Sequence, residues 1–366
     1  MPTTARVVIA PPEAHGKLRI EELKLPDPGP YQVVVKQFAS GICHSQLHQM
    51  HRDKPTPAIL GHESTGIVLA KGKNVTHVKE GDQVMVTWVP RDGEHTSRRP
   101  EAASLDLPDG TTARGGVFTW ADNTIADEQY VVKINFGANR DVTAIIGCAV
   151  MTGAGAVMYT AGVQNGQSVA VFGVGGVGLS AITAAAVIGA NPIIAVDLDL
   201  DQSKLEFAKK FGATIGVNAS EGDPVAKIQE LTQSKTDFTM AGTPVSGVDF
   251  AFDCIGVRKT MEQILPSVRG GVLGKSTGGT AVLVGVPQTP VELNASDLLI
   301  NEKKYIGSIG GSCRPDRDFP IFMRWYKEGD LDLDALVTTR YKLDQIQEAT
   351  DALAAGKIAG RAIMEF

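Results

Sequence analysis

Residues 168–188, SVAVFGVGGVGLSAITAAAVI, decide the reading of this chain. Ser168–Phe172 is a short apolar run of strand character, and Leu179–Ile188 is an alanine-rich run of helical character. Between them Gly173, Gly175 and Gly178 form GxGxxG, with Gly176 and Val177 completing the turn. Glycine is favoured here because the backbone turns tightly, a pyrophosphate must approach it, and helix and strand pack closely. The helix start supplies free N–H groups and a positive dipole end for phosphate. Out of context the pattern is weak; between a strand and a helix it predicts a dinucleotide site.

The residues that follow support this reading. A second apolar run, Pro192–Val196, ends at Asp197, 19 residues beyond Gly178. A carboxylate there accepts hydrogen bonds from an unmodified ribose and repels a 2′-phosphate, which predicts NAD over NADP. Asp199 and Asp201 lie in the same turn, but Asp197 fits the spacing best. The amphipathic stretch Ser203–Phe211 reads as a helix stopped by Gly212. Strand-like runs recur at Val248–Cys254, Thr280–Val284 and Lys304–Ile309. Strands alternating with helices predict a doubly wound parallel sheet over residues 150–310.

Upstream the character changes. Ala5–Ala10, Gln32–Ala39, Ser64–Leu69, Gln83–Val89 and Gln129–Ile134 are short, Val- and Ile-rich, and punctuated by Pro, Gly and Asp. They predict a mostly β domain over residues 1–149, completed by residues 311–366. That last part carries helical patterns at Phe319–Lys327 and Leu343–Ala355 and a strand-like tail from Arg361 to Phe366. Arg91–Gly116 is polar and shows no hydrophobic period, so it reads as a long surface loop. Thr236–Pro244 reads as a surface loop of the parallel-sheet domain.

A length of 366 residues suits two domains. A net charge of −6 argues against a nucleic-acid partner, which needs a basic face. The N-terminus has no signal-peptide core and no run is long enough to span a membrane, so a cytoplasmic location is expected. In a reducing compartment Cys43, Cys148, Cys254 and Cys313 are core residues, ligands or nucleophiles rather than disulfide partners.

Two of these cysteines belong to a richer pattern. Gly41-Ile-Cys43-His44-Ser45-Gln46-Leu47-His48 places a thiol, two imidazoles and a hydroxyl within six positions. Gly61-His62-Glu63 follows, and Cys148 stands at the expected domain boundary. Two thiolates and one imidazole with a fourth position open describe a catalytic zinc site rather than a closed structural one. Cys254 and Cys313 read as core residues; His15, His51, His77 and His95 read as surface residues.

Cys43, Gly61-His62-Glu63, Cys148 and the glycine loop, taken together, resemble the zinc-dependent alcohol dehydrogenases of the medium-chain dehydrogenase/reductase superfamily. The resemblance covers nearly the whole chain, including Gly81-Asp82 and Arg361. It implies an α/β protein with a GroES-like, partly barrel-shaped β catalytic domain and a Rossmann domain. It implies one catalytic zinc held by Cys43, His62 and Cys148, with Glu63 behind the metal and able to coordinate transiently. Ser45 would take the alcohol proton and pass it through the cofactor ribose to His48. His44 and Arg361 would face the cofactor phosphates, and Thr152 and Val284 would contact NAD. Trp88 and Trp120 stand where the family places aromatic pocket residues, which suits a primary aromatic, allylic or medium-chain alcohol and its aldehyde. The segment Val291–Gly310 resembles the strand that pairs family subunits, so a homodimer or homotetramer is expected.

Two departures stand out. The stretch matching the family's four-cysteine lobe, Arg91–Gly116, contains no cysteine, so no structural zinc can be built there. Position 46 is glutamine where relatives commonly carry aspartate. Two other readings compete: a metal-free NAD(P)H-dependent reductase of the same fold, which would not need the Cys–His–Cys set, and a non-catalytic nucleotide-binding protein, which would not need Ser45 and His48.

Overall fold

The computed structural model describes residues 3–93, 97–134, 141–198 and 203–366. The chain divides into two compact units, Met1–Ala149 with Arg314–Phe366, and Val150–Cys313.

In the second unit the described strands form one parallel sheet. Its spatial order is Ile215–Asn218, Ile193–Asp197, Val169–Phe172, Phe250–Asp253, Thr280–Leu283 and Lys304–Gly307. Each inner strand is buried on both faces, which explains its unbroken apolar run rather than an alternating one. Helices Gly176–Ile188, Ser203–Lys209, Pro224–Thr232 and Arg258–Ser267 connect the strands. The order reverses beside Val169–Phe172, the switch point at which doubly wound sheets bind ligands. The sequence reading misses Ile215–Asn218 and the helices Pro224–Thr232 and Arg258–Ser267, whose periods are short and weak. Asp199 and Asp201 lie outside the described residues.

Gly178 shows why this sheet needs its loop. A Cβ there would stand 1.7 Å from the Gly173 carbonyl oxygen, so no side chain fits between helix and strand. The other glycines of the loop leave the approach to Gly175 open: nothing lies within 4 Å of a Cβ built there.

The first unit holds two sheets among its described residues. One runs Arg19–Lys24, Thr4–Ala10, Ala58–Ile59, Thr112–Gly115 and Ala103–Asp106. The other runs Val131–Lys133, Gln83–Val86, Ser64–Lys71, Gln32–Ile42, Arg361–Glu365 and Val337–Lys342, with Asn123–Asp127 also paired to Gln32–Ile42. Gln32–Ile42 is its organising strand. Val33, Val34 and Val35 are buried, and β-branched residues suit this pleated interior. Its far end pairs Ser40 with Ser64 and Met364, and Ile42 with Ala362. The C-terminal tail is therefore an inner strand, with Ala362, Ile363 and Met364 all buried.

The reading of Arg91–Gly116 as one long loop is corrected. Ala103–Asp106 and Thr112–Gly115 form an antiparallel hairpin closed through Leu107-Pro-Asp-Gly110. Ala103, Leu105, Leu107 and Ala113 are buried, a period-2 face too short to stand out among its polar neighbours. Charge ties down what precedes the hairpin. Arg98 donates from both Nη atoms to the fully buried Asp127 side chain at 2.7 and 2.8 Å, and Arg91 pairs with Asp316 at 3.2 Å. His95 lies outside the described residues. His77 is not the surface residue expected: its ring is largely enclosed and bonds the Val131 carbonyl at 2.9 Å.

Candidate metal centre and cofactor site

Strand register builds the first half of the site. Gln32–Ile42 runs directly into the helix His44–Met50, and Cys43 is the extended residue between them. Ser64 pairs with Ser40, so His62 and Glu63 enter beside Gly41 and Cys43. The Gly41 N–H donates to the Glu63 carbonyl at 3.1 Å. A Cβ on residue 41 would overlap the Glu63 carboxylate at 2.2 Å, so glycine there makes room for the acid. Cys148 arrives at the end of the 3₁₀ turn Val142–Gly147. One donor atom each from Cys43, His62 and Cys148 then lies within 4.8 Å of the others.

The charges around these donors suit a dication. The Cys148 thiol hydrogen-bonds Cys43 and, with the nearby Arg361 cation, holds the Cys43 thiol well below its usual pKa. The same hydrogen bond and burial push Cys148 well above its usual value. The pair thus shares one proton that a cation would displace. Two further atoms, His62 Nε2 and Ser45 Oγ, are buried without any hydrogen-bond partner. Buried polar atoms of this kind cost stability unless something binds there. Two soft thiols and an imidazole are a zinc-type donor set, so the residues fit the ion.

Glu63 stands behind the donors, and Arg361 stands there with it. Both are almost fully buried, and Arg361 Nη2 donates to Glu63 Oε1. Glu63 Oε2 accepts the Ala149 N–H at 3.4 Å. The Glu63 carboxylate is therefore engaged on both oxygens and is not one of the clustered donors. Burial pushes its pKa up, with the Arg361 charge opposing. Arg361, expected to face cofactor phosphates, is buried in the first unit with Nη2 on Glu63, while its Nε is buried without a partner.

Other expected residues divide. Ser45 and His48 share the helix His44–Met50 but no hydrogen bond. His48 is half-buried, and burial followed by the Arg52 charge lowers its pKa, so the ring is neutral at pH 7. His44 opens the helix and is exposed. Trp88 lies edge-on to His62, with ring centroids 6.3 Å apart. Trp120 corrects a pocket assignment. It is fully buried among Val8, Ile42, Met50 and Leu60, and its Nε1–H donates to the Gly41 carbonyl at 3.2 Å. It is a core aromatic whose polar handle is satisfied.

In the second unit the glycine loop joins Val169–Phe172 to the helix Gly176–Ile188, with Gly175 as the capping residue and Val177 and Gly178 in the first turn. Asp197 ends the adjacent strand, and its Oδ2 accepts the Val174 N–H at 2.8 Å. Lys204 stands 3.8 Å from Asp197 Oδ1, a cation the sequence reading missed although it lies in the first turn of the predicted helix. Val284 directly follows the strand Thr280–Leu283, and its N–H donates to the Asp253 carbonyl at 2.9 Å. Thr152 is buried in the helix Ala149–Gly155 with Oγ1 unpartnered. Cys313 is a core residue whose thiol donates to the Met151 carbonyl at 3.2 Å.

Known proteins combine these two halves. Residues 29–136 match the alcohol dehydrogenase GroES-like domain and residues 176–328 the zinc-binding dehydrogenase domain. The class-3 alcohol dehydrogenase of Cereibacter sphaeroides is 34% identical over 98% of both chains. The benzyl alcohol dehydrogenase of Acinetobacter calcoaceticus superposes with a TM-score of 0.83 at 30% identity, covering 100% of this chain and 99% of its own. An alcohol dehydrogenase zinc-binding domain protein of Burkholderia ambifaria superposes at 0.85 and 28%, over the full length of both. A clustered Cys–His–Cys set on a GroES-like sheet, a glycine loop on a Rossmann sheet, and full-length likeness at this identity lead to one conclusion: the chain belongs to the zinc-type alcohol dehydrogenases of the medium-chain dehydrogenase/reductase superfamily.

Proposed function

We propose that this oxidoreductase is a zinc- and NAD-dependent alcohol dehydrogenase that moves hydride reversibly between an alcohol and its carbonyl. The observation that carries the reading is the cluster of Cys43, His62 and Cys148 donors. Residues 1–149 and 311–366 form the catalytic domain in this reading, and residues 150–310 bind NAD. When bound, zinc supplies Lewis acidity that makes the alcohol more acidic, and NAD supplies the hydride acceptor.

The chain's own residues do the rest. Cys43, His62 and Cys148 hold the metal and leave a fourth position for substrate. Ser45 Oγ, buried and unpartnered, takes the alcohol proton. The neutral His48 ring exchanges that proton with water. The amides of Gly173–Gly178 bind pyrophosphate, and Asp197 holds the ribose. Trp88, edge-on to His62, forms one aromatic wall of the pocket and favours aromatic, allylic or medium-chain primary alcohols. The likeness to a benzyl alcohol dehydrogenase agrees with that choice. Lys304–Gly307 is a sheet-edge strand flanked by Leu299 and Ile309, 78% and 77% exposed, which supports a homodimer or homotetramer.

The test is NADH formation with a panel of alcohols, alongside zinc content. Oxidation of benzyl and medium-chain alcohols with about one zinc per chain is expected, and NAD should be used in strong preference to NADP. Asp197→Asn keeps a hydrogen-bonding group but loses the charge that repels a 2′-phosphate. The ratio of kcat/KM for NAD over NADP should fall about tenfold in that variant, on the order of 1.4 kcal/mol. Zinc-loaded protein that binds NAD but oxidises no alcohol would instead favour a non-catalytic nucleotide-binding protein.

Ser45→Ala separates proton transfer from metal binding. It is expected to lower kcat by about a hundredfold, the low end of general acid–base contributions, with zinc content unchanged. Unchanged kcat would remove Ser45 from the proton path.

A further inference from the structure

Gln46 lies between two groups that matter to the site, and its amide cannot serve both when a metal is bound. It is 1% exposed. Its Oε1 accepts the Cys43 N–H at 3.1 Å, and its Nε2 faces His62 Nδ1. The Cys43 N–H is one of the free donors at the start of the helix His44–Met50 and has this side chain as its acceptor.

An amide nitrogen only donates, so in this arrangement Nδ1 of His62 must accept. A neutral imidazole carries its proton on one nitrogen, which places it on Nε2. That is the buried nitrogen with no partner. With Nδ1 occupied by Gln46, Nε2 is the ring atom left for a metal, and ligation requires a lone pair there. The proton must then move to Nδ1, where a metal-ligating histidine ordinarily donates to a carboxylate or carbonyl oxygen. Here it meets an NH₂ group instead. Turning the amide over brings its oxygen to Nδ1 but turns its NH₂ toward the Cys43 N–H, stranding a buried donor. Whichever way it is turned, one oxygen faces two N–H groups on opposite sides.

We propose that Gln46 is a positioning residue that holds His62 in the Nε2–H tautomer when the site is metal-free and thereby weakens zinc binding. The proposal rests on the Cys43, His62 and Cys148 reading given under Proposed function. It makes a specific statement about a substitution. A carboxylate of the same reach has an oxygen for each donor, so Gln46→Glu relieves the conflict and releases the Nε2 lone pair. The expected gain in zinc affinity is about ten- to hundredfold, the usual range for a partner of a ligating histidine.

Two measurements on the full-length chain test it. Zinc affinity is measured by competition with a chromophoric chelator for the stripped protein and for Q46E. The protonated nitrogen of His62 is read from ¹⁵N spectra of histidine-labelled, zinc-free protein, with a His62→Ala sample for assignment. The proposal expects Nε2–H in the wild type, Nδ1–H in Q46E, and tighter zinc binding in Q46E. Nδ1–H in the zinc-free wild type overturns it, as does zinc affinity equal in the two proteins. Tighter binding with an unmoved tautomer also overturns it, because added negative charge alone would do that. Zinc binding by neither protein, with the tautomers as expected, overturns the metal reading itself and leaves the Gln46–His62 geometry standing.

Discussion

A Cys43→Ala variant is expected to purify with almost no zinc and to oxidise alcohols on the order of a thousandfold more slowly than the wild type. The physical reason begins with the donor count. Only Cys43, His62 and Cys148 bring donor atoms within 4.8 Å of one another among the described residues. A catalytic zinc needs three protein ligands, and two do not hold it. Cys43 is also the thiol whose pKa is depressed by the Cys148 hydrogen bond and the Arg361 charge. It is therefore the ready thiolate of the pair, and the variant loses it. Lewis acidity contributes several kcal/mol to such a reaction, and each 1.36 kcal/mol is tenfold, so a loss of about 10³ is a modest expectation. Metal analysis by atomic emission and NADH formation on the same preparation check it, with circular dichroism confirming the fold. A variant that keeps one zinc per chain and wild-type turnover would show that the metal sits elsewhere.

Arg361→Ala should cost more stability than any other single change near the site. The guanidinium and the Glu63 carboxylate are 6% and 0% exposed. Removing the cation strands a buried carboxylate, and breaking such a pair costs about 3–5 kcal/mol. At about 2–4 °C per kcal/mol for a unit of this size, the melting temperature should fall about 10 °C. The partner substitution differs in a way that makes the prediction sharper. Glu63→Gln leaves Arg361 with the charge of the Cys43 thiolate still nearby, so it should cost less. The double variant Glu63→Gln with Arg361→Met removes both charges and should recover part of the loss. Scanning calorimetry on the four proteins, all zinc-free, measures this. Equal destabilisation by the two single variants, with no recovery in the double, would mean the two side chains do not act as a pair.

How much of this was legible beforehand depended on whether the pattern was local. The dinucleotide loop was legible because strand, GxGxxG and helix are contiguous, and the contact that demands glycine at 178 is made five residues away, at the Gly173 carbonyl. Cys43, His62 and Cys148 were recognisable by residue type, since two thiols and an imidazole are a restricted chemistry. Their meeting was not, because Cys148 stands over a hundred positions from Cys43 and reaches it through a 3₁₀ turn. Gln46 was visible as a departure, but its conflict was not: a one-dimensional chain does not tell which atom of an amide faces which nitrogen.

The two-domain α/β architecture, the glycine loop with its acidic partner and the residue types of the donor set are all written in local pattern. Those follow from short-range periodicity, turn chemistry and spacing along the chain. Folding in three dimensions is what sets Trp120 in the core and Trp88 by His62. It also makes a hairpin of a stretch read as loop, and brings the C-terminal strand into the sheet beside Gln32–Ile42. That pairing buries Arg361 on Glu63, behind the donors. Which face of a strand meets the core is set by register across a sheet, and register belongs to the pair of strands and not to either sequence.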